Sequence, residues 1–417
     1  MANRRVVITG LGTVNPLASE VEGFWAALLA GRSGIGHITL FDAEEFASRI
    51  GGQVRDWPGV PEAYVDKREI KRFDRFAQFA VGAAIEAVGD SGIDFAAADR
   101  DRCGVMIGSG IGGLGTLEFQ HERMMERGPS RVSPFTVPKL MVNAASANVG
   151  IQWGLRGPNS AVATACASAG NAMGDAVRLI QQDRADVMLA GGSEAALTSI
   201  GLASFCALKA LSTRNDDPAH ASRPFDKDRD GFLLSEGAGV VVLEELSHAV
   251  GRGAKILAEI VGYGATCDAS HITAPDPEGT GAAEAMRQAL ADAKIAPETV
   301  DYINAHGTST ELNDISETRA IKAVFGQYAH NGLLISSTKS AVGHLLGASG
   351  GVEIIAVVRT LLTGTIPATQ NLENPDDECD LDYCALTNRQ APVDVAISNS
   401  FGFGGHNVVL VVRKYQG

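Results

Sequence analysis

The chain has 417 residues, of which 45% are hydrophobic and 20% charged, a balance typical of globular proteins with two or three domain-sized cores. Its formal net charge of −14 argues against nucleic acid or an anionic membrane as the main partner, because both would repel an acidic protein. Six cysteines are scattered without a CxxC pair, which argues against a disulfide framework and favours a reducing compartment.

The chain opens with Met1-Ala-Asn-Arg-Arg and passes directly into a short predicted strand at Arg5–Ile8. No signal-peptide core follows, and no apolar run reaches the roughly 18 residues that a membrane helix needs. We therefore expect a cytoplasmic protein.

Strand-like and helix-like runs then alternate along most of the chain, which predicts an α/β fold. Helices are predicted at Phe24–Ala30 and Phe76–Val88, and strands at Gly104–Ile107, Val187–Ala190, Gly239–Leu243 and Ile256–Gly262. A charged stretch separates the last two strands. We place the boundary between two halves there, giving residues 1–254 and 255–417.

A weak internal repeat supports two similar halves. Ala87-Val-Gly-Asp-Ser-Gly-Ile93 is echoed by Ala289-Leu-Ala-Asp-Ala-Lys-Ile295, and each segment ends a helix that precedes a strand and a polar or glycine-rich corner. The corners are Gly108–Gly115 and Asn304–Thr310. From these residues alone, a chance likeness between α/β units explains the repeat equally well.

The first corner contains Gly108-Ser-Gly-Ile-Gly-Gly113, which fits the GxGxxG pattern of dinucleotide binding. That pattern also needs a second strand about 20 residues on, whereas Arg131–Pro138 contains prolines unsuited to a central strand. We predict an extended segment at Arg131–Pro138. We expect the glycines to form a wall near a ligand or a partner subunit, without a nucleotide.

Cys166 stands between a strand-like run, Ser160–Ala165, and a helix-like run, Ala167–Ile180. A thiol at such a corner lies near the free N–H groups of the helix, whose partial positive charge is expected to lower its pKa. This position suits a nucleophile. A buried structural cysteine is the alternative, since free cysteines are among the most buried residues.

Three further corners carry polar side chains after predicted strands. Asn304-Ala-His-Gly-Thr-Ser-Thr310 follows a strand at Val300–Ile303, and Ser336-Ser-Thr-Lys-Ser-Ala-Val-Gly-His344 precedes a helix at Leu345–Thr360. Strand ends of this kind build the binding sites of α/β proteins. Ser398–Asn407 contains glycines that would let backbone N–H groups face a ligand, or it forms a hairpin between two strands. Both interpretations can hold together.

Taken together, these motifs resemble the beta-ketoacyl-acyl-carrier-protein synthases, above all the elongating condensing enzymes of dissociated fatty-acid synthesis. The resemblance spans essentially the whole chain and rests on Thr164-Ala-Cys-Ala-Ser, Ala305-His-Gly-Thr-Ser-Thr, Lys339 with Gly343-His-Leu-Leu-Gly-Ala, Asn399-Ser-Phe-Gly-Phe-Gly-Gly-His-Asn, Ala210-Leu-Ser-Thr-Arg-Asn215 and Ser222-Arg-Pro-Phe-Asp-Lys227. It implies the thiolase fold, five layers (αβαβα) built from two similar halves, as a homodimer.

The resemblance also implies an acyltransferase that performs a decarboxylating Claisen condensation. Cys166 matches the acylated nucleophile, His306 and His344 the two histidines, and Lys339 the family lysine, which we expect to pair with Glu317. The backbone N–H groups of Cys166 and Phe403 match an oxyanion hole, and Phe403 matches a gate ring.

The resemblance assigns further residues to binding. Residues matching contacts to the phosphopantetheine arm or the acyl pocket are Thr273, Thr308, Thr310 and Ile111. Those matching a structural cation site in some relatives are Asn304, Glu353, Ser398 and Asn407, although polar caps and loop bonds explain these side chains equally well. No other cofactor is implied, because the substrates are carried on acyl carrier protein.

An acidic carrier protein needs a local cationic surface on this acidic chain. Lys67, Arg68, Lys71 and Arg72 form such a cluster on a predicted helix, and Lys209 matches another docking position. An ordinary solvated helix face is the alternative. Thr136 departs from the family, where a second phenylalanine often borders the acyl pocket, so chain-length preference is not transferred.

Three alternatives stay open at this point. A thiolase using coenzyme A would carry a second catalytic cysteine near the C-terminus, yet no cysteine follows Cys384. A non-catalytic, chain-length-factor-like subunit would lack the nucleophile. A polyketide-type ketosynthase would use the same chemistry on another substrate, with separate carrier proteins.

Overall fold

A computed structural model describes residues 4–417, so what the sequence suggests for Met1–Asn3 lies outside the described residues. The helices are α1 (Val21–Leu29), α2 (Arg75–Ser91), α3 (Leu114–Arg127), α4 (Thr136–Leu140), α5 (Ala144–Trp153), α6 (Ser168–Gln181), α7 (Ser199–Ala207), α8 (Leu246–Gly251), α9 (Thr280–Ala293), α10 (Glu311–Phe325), α11 (Lys339–Val342) and α12 (Ser349–Thr363). Most predicted elements are present, usually with longer bounds than predicted.

The strands of the first half are β1 (Val6–Val14), β4 (Cys103–Gly108), β5 (Asn159–Ser160), β6 (Val187–Glu194) and β7 (Gly237–Glu245). Those of the second half are β8 (Ala258–Cys267), β9 (Tyr302–Asn304), β10 (Leu334–Ser336), β13 (Val395–Gly402) and β14 (His406–Arg413). Two small ribbons pair β2 (Gly36–His37) with β3 (Ile50–Gly51) and β11 (Thr365–Ile366) with β12 (Arg389–Gln390).

The ten larger strands form one hydrogen-bonded sheet in the order β10-β9-β13-β14-β8-β1-β7-β6-β4-β5. Strands β1 and β8 meet only along Val6–Ile8 and Ala258–Ile260, so this short seam divides the sheet into two five-stranded halves. In each half three parallel strands are followed by two antiparallel ones, in the same chain order. The predicted internal repeat is therefore confirmed.

Helices α6 and α12 lie between the two half-sheets and pack on both of them. Helices α2 and α5 cover the outer face of the first half-sheet, and α9 covers that of the second, with α10 packed beside it. The central layer is apolar, with Met173 and Val177 of α6 and Val352 and Ile355 of α12 in one buried cluster. These are the five layers of the thiolase fold, as predicted, and the division of the chain at residue 254 stays a prediction.

Glycines bring the outer helices close to the sheet at matching places in the two halves. A Cβ atom on Gly10 or Gly12 of β1 would lie 2.1 or 2.0 Å from a carbonyl oxygen of α2. A Cβ atom on Gly262 or Gly264 of β8 would lie 2.2 or 2.1 Å from a carbonyl oxygen of α9. Only glycine permits this approach, so the repeat extends to helix–sheet packing.

Two local predictions are wrong. The run Ser160–Ala165 is not a strand, because β5 ends at Ser160 and residues 161–164 are irregular. The segment Arg131–Pro138 is not extended throughout, because Thr136 begins the short helix α4. Pro138 is the third residue of that helix, where a backbone N–H would have no partner within the helix, so proline is tolerated.

The stretch Leu346–Thr363 reaches the length and apolarity of a membrane span, contrary to the expectation from the sequence. Within this stretch 83% of the residues are buried inside the fold. Helix α12 makes up most of it and lies in the central layer, where an apolar surface is needed on every side. Its composition is therefore explained by packing.

Candidate active site

A cavity of about 580 Å³ opens at the ends of α6 and α12 and is lined from both halves of the chain. Among the residues singled out in the sequence, those lining it are Cys166, His344, Phe403, Ile111, Thr273, Thr308, Thr310, Lys209 and Asn407. His306 and Lys339 are not in the lining, and they are 3% and 1% exposed. The structure thus brings together groups that lie up to 296 positions apart in the chain, from Ile111 to Asn407.

Cys166 lies in a single 3₁₀ turn, Ala165–Ala167, directly before α6. Ala165 has a φ of +49°, in the left-handed region that a side chain disfavours. Ser168 holds this corner, because its hydroxyl donates to the Ala165 carbonyl at 2.6 Å and accepts from the Thr164 N–H at 2.9 Å. The thiol is thereby aimed out of the corner toward the second half.

The Cys166 thiol contacts His344. Its Sγ atom lies 3.0 Å from Nε2 of the imidazole, and the other ring nitrogen, Nδ1, lies 2.9 Å from the Ser349 hydroxyl. Since both nitrogens have partners, the ring orientation is fixed. This contact places a base within hydrogen-bond reach of the nucleophile.

Burial raises the pKa of the Cys166 thiol to about 12, although Lys339 and the Phe403 N–H act in the opposite direction. The expectation of a lowered pKa is therefore wrong, because desolvation outweighs the positive end of the helix. Burial and the charge of Lys339 hold the pKa of His306 and His344 well below the ordinary value. At neutral pH the resting site contains a neutral thiol and two neutral imidazoles.

His306 follows β9 and is held through its backbone. The N–H groups of His306 and Gly307 each donate to a different oxygen of Glu317 at 2.8 Å, and the Asn399 amide donates to the same carboxyl at 3.0 Å. The His306 ring stands edge-on to His344, with centroids 5.3 Å apart. Its Nδ1 atom is buried and has no hydrogen-bond partner among residues 4–417.

Lys339 does not pair with Glu317, so that prediction is wrong. Its ammonium group bonds Glu353 of α12 in a fully buried ion pair. Glu317 instead accepts the backbone N–H groups around His306, and burial still raises the pKa of this carboxyl to about 7. Lys339 acts on the histidines as a nearby charge, because it is a cause of the lowered pKa of both rings.

The predicted corner near the C-terminus is a hairpin between β13 and β14, with Phe403-Gly404-Gly405 as its loop. Gly404 and Gly405 have φ of +85° and +75°, which favours glycine. The Phe403 N–H lowers the pKa of the Cys166 thiol as a hydrogen-bond donor. The backbone is also close at Gly402, where a Cβ atom would lie 2.9 Å from the Cys166 nitrogen.

Hydroxyl groups line the cavity wall that faces solvent. The Thr308 and Thr310 hydroxyls lie 2.9 Å apart, and the Thr273 N–H donates to Nδ1 of His271 at 3.1 Å. These three threonines and Ile111 all border the cavity, as predicted from the resemblance. Their roles toward a substrate stay predictions.

The four residues matched to a cation site differ in their hydrogen bonds. Asn304 and Ser398 pair across adjacent strands, and Asn304 Oδ1 and Glu353 Oε2 are buried oxygens without a hydrogen-bond partner in the described part of the chain. The Asn407 amide donates to Asp268 and to the Gly405 carbonyl. Asn399 Oδ1 is a further buried oxygen without a partner.

The basic cluster lies on a turn and on a 3₁₀ turn at Ile70–Arg72, so the predicted helix there is wrong. Lys67 is paired with Glu62, and Arg72 with Glu69, whereas Arg68 and Lys71 have no ion-pair partner within the described residues. All four are exposed. Lys209 lies apart from them at the cavity, also exposed.

Sequence reasoning missed Glu194, a fully buried carboxylate at the end of β6. It accepts hydrogen bonds from the Gly110 N–H at 2.7 Å, the Gly347 N–H at 3.1 Å and the Ser109 hydroxyl at 2.8 Å. It therefore ties the glycine-rich loop to the corner before α12, next to Cys166. An acidic residue ending an otherwise apolar strand was the available signal.

Family models match both halves of the chain. The model described as Beta-ketoacyl synthase, N-terminal domain, matches residues 3–249, and that described as Beta-ketoacyl synthase, C-terminal domain, matches residues 257–373. A curated relative from Synechocystis sp., named 3-oxoacyl-[acyl-carrier-protein] synthase 2, is 53% identical over 419 residues, covering 100% of both chains.

Two solved structures are similar to this chain over nearly its full length. A beta-ketoacyl synthase from Burkholderia phymatum has a TM-score of 0.92 and 37% identity, covering 99% of this chain and 100% of that one. A type II PKS ketosynthase in complex with its acyl-carrier protein, bound to the hexaketide, has a TM-score of 0.92 and 36% identity, with the same coverage of both chains.

Proposed function

This chain belongs to the beta-ketoacyl synthase family, and from that premise we propose that it elongates fatty acyl chains. It is an acyltransferase that condenses an acyl group held on Cys166 with malonyl-acyl-carrier-protein to give a 3-oxoacyl-acyl-carrier-protein. The 3.0 Å contact between the Cys166 thiol and His344, in a cavity bordered by threonines, carries this proposal.

The first step transfers the acyl group. His344 Nε2 takes the proton of the Cys166 thiol as the sulfur attacks the thioester carbonyl of an acyl carrier. The carbonyl oxygen becomes an oxyanion that accepts from the backbone N–H groups of Cys166 and Phe403. The carrier thiolate then leaves and takes the proton back from His344. Because the thiol is neutral at rest, it becomes nucleophilic only while its proton moves.

The second step removes carbon dioxide from malonyl carrier. The bond between the carboxylate and the α-carbon breaks, and its electron pair forms an enolate on the thioester oxygen. His306 and His344 donate N–H groups to that oxygen, since the two neutral rings lie edge-on to each other in a dry site. The ion pair between Lys339 and Glu353 keeps these buried side chains electrically neutral as a pair.

The third step forms the carbon–carbon bond. The enolate carbon attacks the acyl thioester on Cys166. The resulting oxyanion accepts hydrogen bonds from the backbone N–H groups of Cys166 and Phe403, as in the first step. Its collapse breaks the bond to sulfur and releases the 3-oxoacyl carrier. The freed thiolate takes a proton from solvent, which restores the resting enzyme.

Carrier-bound substrates fit the site. Thr273, Thr308 and Thr310 would bond the phosphopantetheine arm, and Arg68, Lys71 and Lys209 supply exposed positive charge for an acidic carrier. Lys67 and Arg72 contribute less, because Glu62 and Glu69 neutralise them. Docking through these charges weakens as salt rises.

A polyketide-type ketosynthase is the second candidate, favoured by the likeness to a type II PKS ketosynthase bound to a hexaketide. Its chemistry at Cys166 would be the same. A non-catalytic chain-length-factor-like role is disfavoured, since the thiol and both imidazoles are present and in contact. The substrate therefore separates the candidates.

Intact-mass analysis after incubation with acyl carriers of increasing length tests the proposal. We expect one acyl adduct, mapped to Cys166 and absent from the Cys166→Ala variant. Elongation of saturated acyl chains by malonyl carrier supports fatty-acid synthesis, whereas turnover restricted to polyketide chains favours the second candidate. An adduct at another residue would contradict both.

A homodimer forms part of the proposal. The edge strand β5 is exposed and packs on α5, which contacts α4, and α4 contacts α3. These helices carry exposed apolar side chains, namely Leu117, Phe119, Met125, Val137 and Ile151. Exposed apolar side chains on neighbouring elements are typical of an interface. Light scattering during gel filtration should give twice the chain mass, and a monomeric active enzyme would contradict the dimer.

A structural cation and a cytoplasmic location complete the proposal. Asn304 Oδ1, Glu353 Oε2 and Asn399 Oδ1 are buried oxygen ligands of the kind that hard cations prefer, and Asn407 is not among them. Thermal unfolding with and without K⁺ or Mg²⁺, after chelation, tests the site. Six free cysteines support a reducing compartment.

A further inference from the structure

His344 is held at both ring nitrogens, and its second partner is unusual. Nε2 faces the Cys166 thiol at 3.0 Å, and Nδ1 faces the Ser349 hydroxyl at 2.9 Å. Ser349 is the first residue of α12 and is 2% exposed. Among residues 4–417 the hydrogen-bond partner of its hydroxyl is Nδ1 of His344.

This inference rests on the proposed reaction, in which Nε2 of His344 has two opposite roles. Nε2 must accept the thiol proton during acyl transfer, and it must donate N–H to the enolate oxygen during decarboxylation. A neutral imidazole carries one proton, so the other nitrogen must change role each time. A donor-only partner such as a backbone N–H would fix one tautomer, as would an acceptor-only carboxylate. A hydroxyl both donates and accepts.

We propose that Ser349 is the positioning residue that lets His344 exchange tautomers between the two half-reactions. When Nε2 accepts, Nδ1–H donates to Ser349 Oγ, and when Nε2–H donates, the serine hydroxyl rotates and donates to Nδ1. The two tautomers interconvert by proton exchange with solvent while the cavity is open between the two carriers, with one proton entering at Nε2, which borders the cavity, and the Nδ1 proton leaving through the Ser349 hydroxyl. Ser349 touches neither substrate nor the reacting atoms. It acts through the imidazole alone.

The other histidine shows that this arrangement is not general to the site. His306 is held by its backbone on Glu317, and its Nδ1 atom has no partner among the described residues. Among the histidines that the structure describes, His344 is the one whose ring nitrogen lies within hydrogen-bond distance of the thiol. The residue that must both accept and donate is therefore the one whose far nitrogen meets a hydroxyl.

Two variants of equal shape test the proposal, Ser349→Thr with a hydroxyl and Ser349→Val with a methyl group. Alkylation of Cys166 by iodoacetamide across pH reports the accepting role and needs no carrier. Decarboxylation of malonyl carrier in a Cys166→Gln background reports the donating role. We expect Ser349→Val to slow both by about 3- to 10-fold, the worth of one hydrogen bond, and Ser349→Thr to retain both.

The pH profile separates positioning from packing. In Ser349→Val the apparent pKa of alkylation should rise, because the imidazolium formed by proton transfer loses the oxygen that accepts from Nδ1–H. Thr360→Val is the matched control, since the Thr360 hydroxyl is buried on the same helix without a partner. We expect it to leave rates and profile unchanged.

Equal rates and profiles in Ser349→Thr and Ser349→Val would overturn the proposal, as would an equal loss in Thr360→Val. Nitrogen-15 spectra of His344 should show both tautomers in the wild-type protein and a shifted ratio in Ser349→Val. If condensation is absent while the alkylation profile still depends on the hydroxyl, the proposed function falls, and only the positioning of His344 by Ser349 stands.

Discussion

The two halves of the molecule share one corner and use it differently. Ala165 has a φ of +49° and Leu346 a φ of +47°, each opens a 3₁₀ turn, and each turn leads into a central helix that begins with serine. Where the first half has Cys166, the second has Gly347. The left-handed backbone therefore occurs in both halves as part of the fold, whereas the chemistry depends on the side chain at the corner.

The matching serines show the same division. Ser168 bonds its own backbone on both sides and holds the corner, whereas Ser349 turns away from its helix to His344. One turn later α6 has Ala172, and α12 has Glu353 paired with Lys339. The first half supplies the nucleophile, and the second half supplies the groups that move protons and hold charge.

The comparison is tested most strongly by removing one group from each half. Cys166→Gln should abolish condensation, a loss of about 10⁴-fold or more, because no sulfur remains to carry the acyl group. Decarboxylation of malonyl carrier should persist, since it depends on the second half. His306→Ala should lower decarboxylation by about 10²–10³-fold, as loss of one oxyanion donor does. Release of labelled carbon dioxide measures both.

The control is Cys267→Ala, which removes an exposed thiol and should leave both reactions unchanged. Loss of carbon dioxide release in Cys166→Gln would contradict the division, because the enolate site would then require the thiol.

Much of the fold could be predicted from the sequence. Buried strands such as β4 and the first half of β6 are continuous apolar runs, and the echo of Ala87–Ile93 at Ala289–Ile295 marks two helices that end in equivalent places. The strand predicted at Ser160–Ala165 failed, because small apolar residues also suit an irregular segment that approaches a corner. Five layers followed from the family resemblance, since local patterns do not specify which sheet face a helix covers.

The sequence predicted which residues form the site, but not which of them form ion pairs and hydrogen bonds with each other. Motif spacing placed Cys166, His306 and His344 at corners, but the partner of Lys339 depends on which buried carboxylate has N–H donors to satisfy it. Glu317 has them, and Glu353 does not. The direction of the Cys166 pKa was also wrong, because local helix geometry says nothing about how much water reaches the thiol.

The next largest effect is expected from the buried ion pair of Lys339 with Glu353, both of which lie in the second half. Lys339→Met should reduce the free energy of unfolding by about 3–5 kcal/mol, because it leaves Glu353 buried without its partner. Urea unfolding measures the change. The double variant Lys339→Met with Glu353→Leu should recover much of the loss, since no uncompensated charge then remains. A single variant as stable as the wild type would show that Glu353 is satisfied by another group.

Because the outer helices approach the sheet equally closely in both halves, we expect matching glycine substitutions to destabilise the protein equally. Gly12→Ala and Gly264→Ala should each destabilise the protein by about 1–3 kcal/mol, because the added methyl group meets a helix carbonyl oxygen. Chemical denaturation measures both. Gly89→Ala in α2 is the control, since its Cβ atom would meet nothing within 4 Å, and it should be neutral or slightly stabilising. Unequal losses would show that one half tolerates a shifted helix.

A buried carboxyl in each half gives the last expected effect, a dependence of stability on pH. Burial raises the pKa of Glu317, and of Glu86 in the first half, from 4.5 to about 7, and each accepts two backbone N–H groups. Between those values the folded protein keeps a proton that the unfolded chain releases. The free energy of unfolding therefore falls as pH rises, by at most about 1.4 kcal/mol per pH unit for each group.

Glu317→Gln and Glu86→Gln remove this dependence, because an amide does not titrate in that range. Relative to the wild type, each variant should gain stability as pH rises from 4.5 to 7, measured by urea unfolding at several pH values. The gain should be steeper for Glu317, which is fully buried, than for Glu86, which water partly reaches. Parallel curves for wild type and Glu317→Gln would mean that His306 and Gly307 bond a carboxylate that is already ionised, and that the second half tolerates its charge.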